Sequence, residues 1–225
     1  MGHARQEERN KMSELLTHGR GGQMNVGLGP VQRAIVGRRS NRRFAEAPVP
    51  RDVLARLLDA AVQAPNHHLT RPWRFFVVDR PGAVRQRIAD LAADGFRTAM
   101  QPTLPAERLD QGANNKRDEL LRVPALVLCF SVPGGSDAET RENYAACACA
   151  MQNLMLAATE EGLSTGWSTG GITQDPALRS IIGADTSWEM VGALYVGYPS
   201  AELTPASPRP GAAEFTRWLS DVSDR

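Results

Sequence analysis

Six consecutive positions, Arg38 to Arg43, carry four arginines, a serine and an asparagine. Arginine presents its N–H donors in a rigid planar fork, and a neighbouring hydroxyl adds a short donor, so the combination suits a phosphate. No Asp or Glu occurs from Leu15 to Ala45, and an anion reaching this stretch meets no local repulsion. The plainer alternative is a basic helix end, because cations are favoured at a helix C-terminus. If a phosphate is bound, Arg38, Arg39 and Ser40 are its best grip.

A second stretch offers a place for a flat group. Gly162, Gly166, Gly170 and Gly171 surround Trp167, and glycine lets backbone approach a planar ligand closely. A turn-rich strand edge would have the same composition. Gly166-Trp167-Ser168-Thr169-Gly170 also spells the G-x-S-x-G of a hydrolase nucleophile elbow. That elbow needs a helix directly after the serine and a histidine later in the chain. All four histidines (His3, His18, His67, His68) precede Ser168, and Ile172 to Pro176 carries no helical pattern, which excludes a serine hydrolase. His67-His68 is a histidine pair in a polar loop without a Cys, His or carboxylate at ligand spacing, so no metal is expected. There is no G-x-G-x-x-G after a strand and no P-loop. A dinucleotide is therefore not gripped by those turns.

The elements that position these residues follow from periodicity. Val31, Ala34 and Ile35 give a short helix ending at Gly37, just before the arginines. Val53, Leu54, Leu57, Leu58, Ala61 and Val62 mark an amphipathic helix that stops before Pro65. Strands are predicted over 73–78, 125–130, 163–169 and 190–196. A helix carries Val84, Ile88 and Leu91. The polar span from Asp94 to Arg122 reads as a loop plus an exposed helix, the expected lid. Ser136 and Glu139 suggest a capping box for a long helix over about 138–161. From Tyr144 to Ala158 it is apolar on nearly every face, so it should be buried all round, against the sheet on one side and a second subunit on the other. Residues 175–182 read as a last short helix. The organisation is a flexible arm over 1–29 and a single α+β domain over 30–225.

Bulk properties exclude several classes. With 26 basic and 25 acidic residues the formal charge is +1, which gives no long-range attraction to nucleic acid or an anionic membrane. No apolar run reaches the ~18 residues of a membrane helix. Cys129, Cys147 and Cys149 make an odd count without disulfide or metal spacing, pointing to a reducing, cytoplasmic setting.

Four stretches, in order, resemble the nitroreductase-like flavin oxidoreductases, particularly their small single-domain branch. Arg38-Arg39-Ser40-Asn41-Arg42-Arg43-Phe44 is similar to the family's R-R-S-x-R-x-F. Ala64-Pro65-Asn66-His67-His68, continuing to Pro72-Trp73-Arg74-Phe75, resembles its A-P-S/D-H-x-x-x-Q-P-W-x-F. Gly162 to Gly170, after a long alanine-rich helix, is similar to its flavin-contacting strand, and Leu194 to Pro199 to a later strand end. The resemblance implies a mostly antiparallel central sheet flanked by helices, and FMN held without a covalent bond in an intertwined homodimer. By position it implies that Arg38 and Ser40 hold the phosphate, with Arg39 in the same turn. Arg42 is implied at the pyrimidine edge, Gln63 and His67 along the isoalloxazine from the same or the partner chain, and Trp167, Ser168, Thr169 and Gly170 beside the ring. Two positions depart: Arg71 stands for the usual Gln, and Leu69 for a polar residue. A late basic residue, Arg209 or Arg217, is a candidate to complete the phosphate site.

The activity implied is hydride transfer from NAD(P)H followed by ping-pong reduction of a small acceptor: a nitroarene, quinone or enone. FMN fragmentation and reductive dehalogenation also occur on this plan. The cofactor carries such chemistry, so no side chain is assigned as catalytic. The alternative from another class is a non-redox module that binds a phosphate-bearing ligand through Arg38 to Arg43. Its RNA-binding version lacks aromatics alternating with the basic residues.

Overall fold

The computed structural model describes residues 27–201, 203 and 209–219. The chain divides into two compact units, one of residues 1–33 and 204–225, the other of residues 34–203. The expected arm over 1–29 lies outside the described residues except for its last three positions. In the first unit, Gly29 accepts from Arg33 N–H at 3.0 Å as helix α1 (Pro30–Gly37) begins. A 3-10 turn, Ala212–Phe215, leaves Phe215 exposed, and Arg209 and Arg217 are exposed in the same unit.

The second unit is built on a four-stranded sheet, β1 (Trp73–Val78), β2 (Ala125–Ser131), β3 (Ser164–Ser168) and β4 (Glu189–Gly197), in the order β1-β2-β4-β3. Every strand pair is antiparallel. The central strands β2 and β4 read as unbroken apolar runs because both faces of the sheet are covered. On one face Val127, Cys129, Leu194 and Val196 meet α2 (Arg51–Ala61) and α5 (Asp137–Glu160). On the other, Leu126, Leu128, Phe130, Ala193 and Tyr195 meet Ile88, Ala89 and Leu178 from α3 (Ala83–Met100) and α6 (Ala177–Ile182). Alternate residues of each strand thus feed separate cores. The α+β class with a mostly antiparallel sheet matches expectation. No helix among the described residues is long and apolar enough to cross a membrane.

Three local expectations meet the structure differently. The span from Asp94 onward is helical: α3 continues to Met100, and α4 covers Ala106–Arg122. Its fully buried apolar residues are few, Ala113 and Leu120. Phe96 packs where Gly112 lacks a side chain. Ion pairs Arg117–Asp90 at 2.7 Å and Arg97–Asp110 at 3.3 Å tie α3 to α4. A helix pair joined by charges and alanines leaves little apolar periodicity to read. The cap of α5 is also shifted. Ser136 Oγ accepts from Glu139 N–H at 3.2 Å as expected, but the Glu139 carboxylate accepts from Gly135 N–H at 2.7 Å. Within one chain α5 is not buried all round: Asn143, Ala146, Cys147, Ala150, Met151, Leu154, Met155 and Ala158 are buried, whereas Ala145 and Cys149 are exposed.

One buried cation ties this architecture together. Arg85, 4% exposed, donates to the carbonyls of Val78, Arg80, Leu120, Val123 and Pro124. These acceptors end β1, finish α4 and lead into β2. A helix leaves its last carbonyls unsatisfied, and a planar five-donor fork can serve several at once. Burial lowers the Arg85 pKa, with Asp79 opposing the shift. Hydrogen bonds to charged groups are worth ~1.5–3 kcal/mol each, so Arg85→Met should cost at least ~3 kcal/mol in urea unfolding. Arg85→Lys should recover only part, because an ammonium lacks the fork. A lysine variant as stable as wild type would show that the fork geometry is not needed.

Candidate functional site

The arginine segment is laid along the outer edge of β3. Ser40 pairs with Thr165 in a parallel bridge, and Phe44 pairs with Pro199 in an antiparallel one. Between them Asn41 is the fastener. Its N–H donates to Thr165 O at 2.8 Å, its amide donates to Ser164 Oγ at 2.8 Å and Arg43 O at 2.9 Å, and its Oδ1 accepts from Arg43 N–H at 2.9 Å. Ala45 N–H then donates to Tyr198 O at 2.9 Å. The sequence reading passed over Asn41, whose short amide side chain among four arginines is the signal for a backbone-binding turn.

The four arginines have separate fates. Arg38 lies half-buried just past α1, its N–H donating to Ala34 O at 2.9 Å. Arg39 folds back, and its Nη1 donates to Val36 O at 2.6 Å and Arg38 O at 2.9 Å. For Arg39 the basic helix end is therefore realised. Arg43 is exposed, and its carbonyl accepts from Ser200 N–H at 3.1 Å. Arg42 lies on the face of the sheet that carries Tyr195. It donates to Glu119 of α4 at 3.3 Å and to Trp167 O at 3.5 Å, with its guanidinium 4.4 Å from the Tyr195 ring centroid.

Glycines make this close approach feasible. A Cβ at Gly166 would stand 2.7 Å from Arg42 Cγ and 2.9 Å from Asn41 O. Gly192 on β4 leaves room for the Trp167 indole, whose Nε1 is buried without a partner, as is Thr165 Oγ1. Beyond β3 the edge opens. Thr169, Gly170 and Gly171 are exposed, with open space at both glycines, and Gly171 takes φ +59. A 3-10 turn follows, Gly171–Gln174, in which Gln174 Nε2 donates to Thr169 O at 2.6 Å. The structure thus joins Ser40 and Arg42 to Thr165 and Trp167 and continues through Ser168 to Gly170. A donor-rich, acid-free segment beside an uncapped glycine edge fits a flat ring that carries a phosphate.

Gln63 and His67 stand apart from this group within the chain. Gln63 is exposed beyond α2, donating to Asp59 O at 3.4 Å. His67 opens a 3-10 turn, His67–Leu69, in which His68 and Leu69 take positive φ of 52 and 54, and Arg71 just beyond it takes 47. Such backbone costs on the order of 1–3 kcal/mol per residue and persists where surroundings enforce it. Asn66 Oδ1 accepts from Arg71 N–H at 3.0 Å, and Thr70 Oγ1 donates at 2.7 Å to Asn143 Oδ1 on α5. No hydrogen bond or ion pair among the described residues joins Gln63 or His67 to Ser40, Arg42 or Trp167. The fold also supplies the carboxylate that sequence spacing lacked near the histidine pair. Glu142 lies 3.6 Å from His67 Nδ1, and the potential ligand atoms of His67, His68 and Glu142 fall within 4.8 Å of one another. One helical turn of α5, out of register with the loop in sequence, provides both Glu142 and Asn143.

The nitroreductase family model matches residues 35–198, from the helix before the arginines to the end of β4. The chain belongs to the nitroreductase family. YfhC of Bacillus subtilis, which carries an NAD(P)H nitroreductase name, is 32% identical over 162 residues, covering 72% of this chain and 80% of that protein. A nitroreductase-like family protein from Bacillus cereus has a crystal structure that superposes with a TM-score of 0.73 at 26% identity, covering 87% of this chain and 99% of that one. NfnB of Mycobacterium smegmatis, described as FMN-dependent and in complex with NADPH, shares the fold at a TM-score of 0.64 and 21% identity, covering 84% of this chain and 97% of that one.

The β3 edge can be probed at Gly166. Gly166→Ala places a methyl against backbone and an arginine stem, which typically costs ~1–3 kcal/mol. The segment should lift from β3, with a lower melting temperature and faster tryptic cleavage at Arg42 and Arg43. A variant with wild-type melting and cleavage would mean that the edge tolerates a side chain.

Proposed function

We propose that this chain is an FMN-dependent NAD(P)H oxidoreductase that reduces small aromatic or conjugated acceptors by a ping-pong mechanism. The observation that carries the reading is the arginine segment fastened by Asn41 to the uncapped glycine edge of β3, within a nitroreductase-family fold. The NAD(P)H name of YfhC and the FMN and NADPH of NfnB support it. Bound FMN supplies the two-electron chemistry, taking hydride from NAD(P)H and passing electrons to the acceptor. The chain supplies binding and orientation. Arg38 and Ser40 hold the phosphate, and Arg39 keeps the turn shaped by occupying the carbonyls at the end of α1. Trp167, Ser168, Thr169 and Gly170 run beside the ring, Arg42 faces its pyrimidine edge, and Gln63 and His67 line it from the same or a partner chain. No side chain need store a proton for this scheme. A single domain over 30–225, working in the cytoplasm, is part of the same proposal. The buried free thiols Cys129 and Cys147 favour a reducing compartment.

Purified protein should be yellow and on denaturation release a fluorophore that co-elutes with FMN, stoichiometric with the chain. Protein that stays colourless after incubation with excess FMN and desalting would favour the non-redox binding module. The phosphate does not change on flavin reduction, so Arg38→Ala should weaken oxidised and reduced FMN equally. The loss should be ~1.5–3 kcal/mol, and unequal losses would place Arg38 near the ring. Initial rates with a nitroarene, a quinone and an enone would identify the acceptor class.

The same proposal includes a homodimer. The exposed side of α5 carries Ala145 and Cys149, with Ala148 and Leu156 half-buried, an apolar strip that a second copy would cover. Ala145→Glu or Cys149→Asp should yield monomers that lose FMN. Light scattering that finds wild-type protein as a 24.5 kDa monomer still holding FMN would rule the dimer out.

A further inference from the structure

Arg42 has an acidic partner, Glu119 of α4, on the same face of the sheet as Tyr195. Its stem passes over Gly166, its Nη2 touches the Trp167 carbonyl at 3.5 Å, and its Nη1 meets Glu119 Oε1 at 3.3 Å. The second Glu119 oxygen accepts from Lys116 Nζ at 3.0 Å, so one carboxylate lies between two cations. The Arg42 and Glu119 side chains are 36% and 25% exposed, enough shielding from water for the pair's charges to be felt nearby. Beneath the guanidinium lies the Tyr195 ring, and the Tyr195 hydroxyl is pushed up to about 12 by burial and by Glu119, against Arg42. Around them is a cavity of about 430 Å³ walled by Arg42, Asn115, Asp118, Glu119, Arg122 and Tyr195.

We propose that Glu119 is a positioning residue: it holds Arg42 at the Trp167 carbonyl and offsets part of the charge that Arg42 presents to the flavin. Glu119 thereby sets how readily the cofactor is reduced. The inference rests on reading this site as a flavin site. Arginine remains protonated throughout, so its charge can be moderated only by a neighbour. Only two of its five N–H donors are engaged in the bonds above, which leaves others for a ligand. The reduced cofactor bears one more negative charge on its pyrimidine side than the oxidised one. A nearby cation favours that state and a nearby anion opposes it. The paired carboxylate therefore lowers the potential relative to a lone arginine. Lys116, drawn to the same carboxylate from the solvent side, prevents a complete cancellation.

The test compares midpoint potentials of wild type, Glu119→Gln, Arg42→Gln and the double variant, each saturated with FMN. Glutamine keeps the length and the acceptor oxygen but removes the charge. In Glu119→Gln the preference for reduced over oxidised FMN should rise about tenfold, which is about 30 mV upward for a two-electron couple. In the Arg42→Gln background the same change at Glu119 should shift the potential far less, because the carboxylate, no longer held by the arginine, turns to Lys116 on the solvent side, where water screens its charge. An unchanged potential in Glu119→Gln would overturn the inference, as would an equal shift in both backgrounds. Both results leave flavin bound and the proposed activity standing. Wild-type protein that takes up no flavin at all would overturn the activity and this inference together, and is recognised by its missing absorbance.

Discussion

The site depends on the fastening of one irregular segment to one strand edge. An edge strand presents unpaired N–H and C=O groups, and β3 uses them to hold the chain from Ser40 to Phe44. Asn41 does most of this, since its backbone pairs with Thr165 while its side chain bridges Ser164 and Arg43. The arginines on either side are consequently not interchangeable. Arg39 folds back onto the end of α1, while Arg42 passes over Gly166 to Tyr195 and Glu119. The fastening at Asn41 thus stands between Arg39, bonded at the end of α1, and Arg42, which reaches Glu119.

A second constraint reaches the same place from the core. The five carbonyls around Arg85 fix where α4 ends and β2 begins. Leu120, one of those acceptors, directly follows Glu119. The carboxylate that meets Arg42 is therefore presented from a helix terminus that cannot drift. Arg85 contacts no part of the proposed ligand site, yet it sets the far wall against which Arg42 is held. Buried charge in this fold fixes helix ends, and exposed charge on α3 and α4 sets their spacing.

Much of this was legible in the sequence where one physical signal dominated. The strands β2 and β4 are unbroken apolar runs, α2 has clean helical spacing, and Gly37 and Gly183 mark helix ends. The arginine cluster and the glycines near Trp167 stood out by composition alone. How far helix extends through the polar span from Asp94 to Arg122 was illegible for a physical reason. Its folding rests on alanines, on one leucine and on ion pairs between α3 and α4, none of which leaves a periodic apolar trace. Arg85 was equally hidden, because a buried arginine serving only carbonyls is indistinguishable in sequence from a surface one. Long-range partners escaped for another reason: Glu119 and Glu142 acquire meaning only when α4 and α5 are laid beside residues 77 and 75 positions away.

The long helix α5 illustrates how a composition can be read correctly and still mislead about burial. Its run from Tyr144 to Ala158 is apolar on nearly every side, but one chain supplies cover for only one face. Met151 and Leu154 are fully buried against α2 and the sheet, so they belong to the fold of the single chain. Ala145 and Cys149 face outward, where small side chains gain little from burial individually but permit close helix approach over a long strip. That strip is where the second copy of the proposed homodimer would sit. The loop bearing His67 is gripped by Glu142 and Asn143 of this same helix. In the proposed dimer, a second copy seated on α5 would lie against the helix that holds the His67 loop, so assembly would bear on the proposed role of His67.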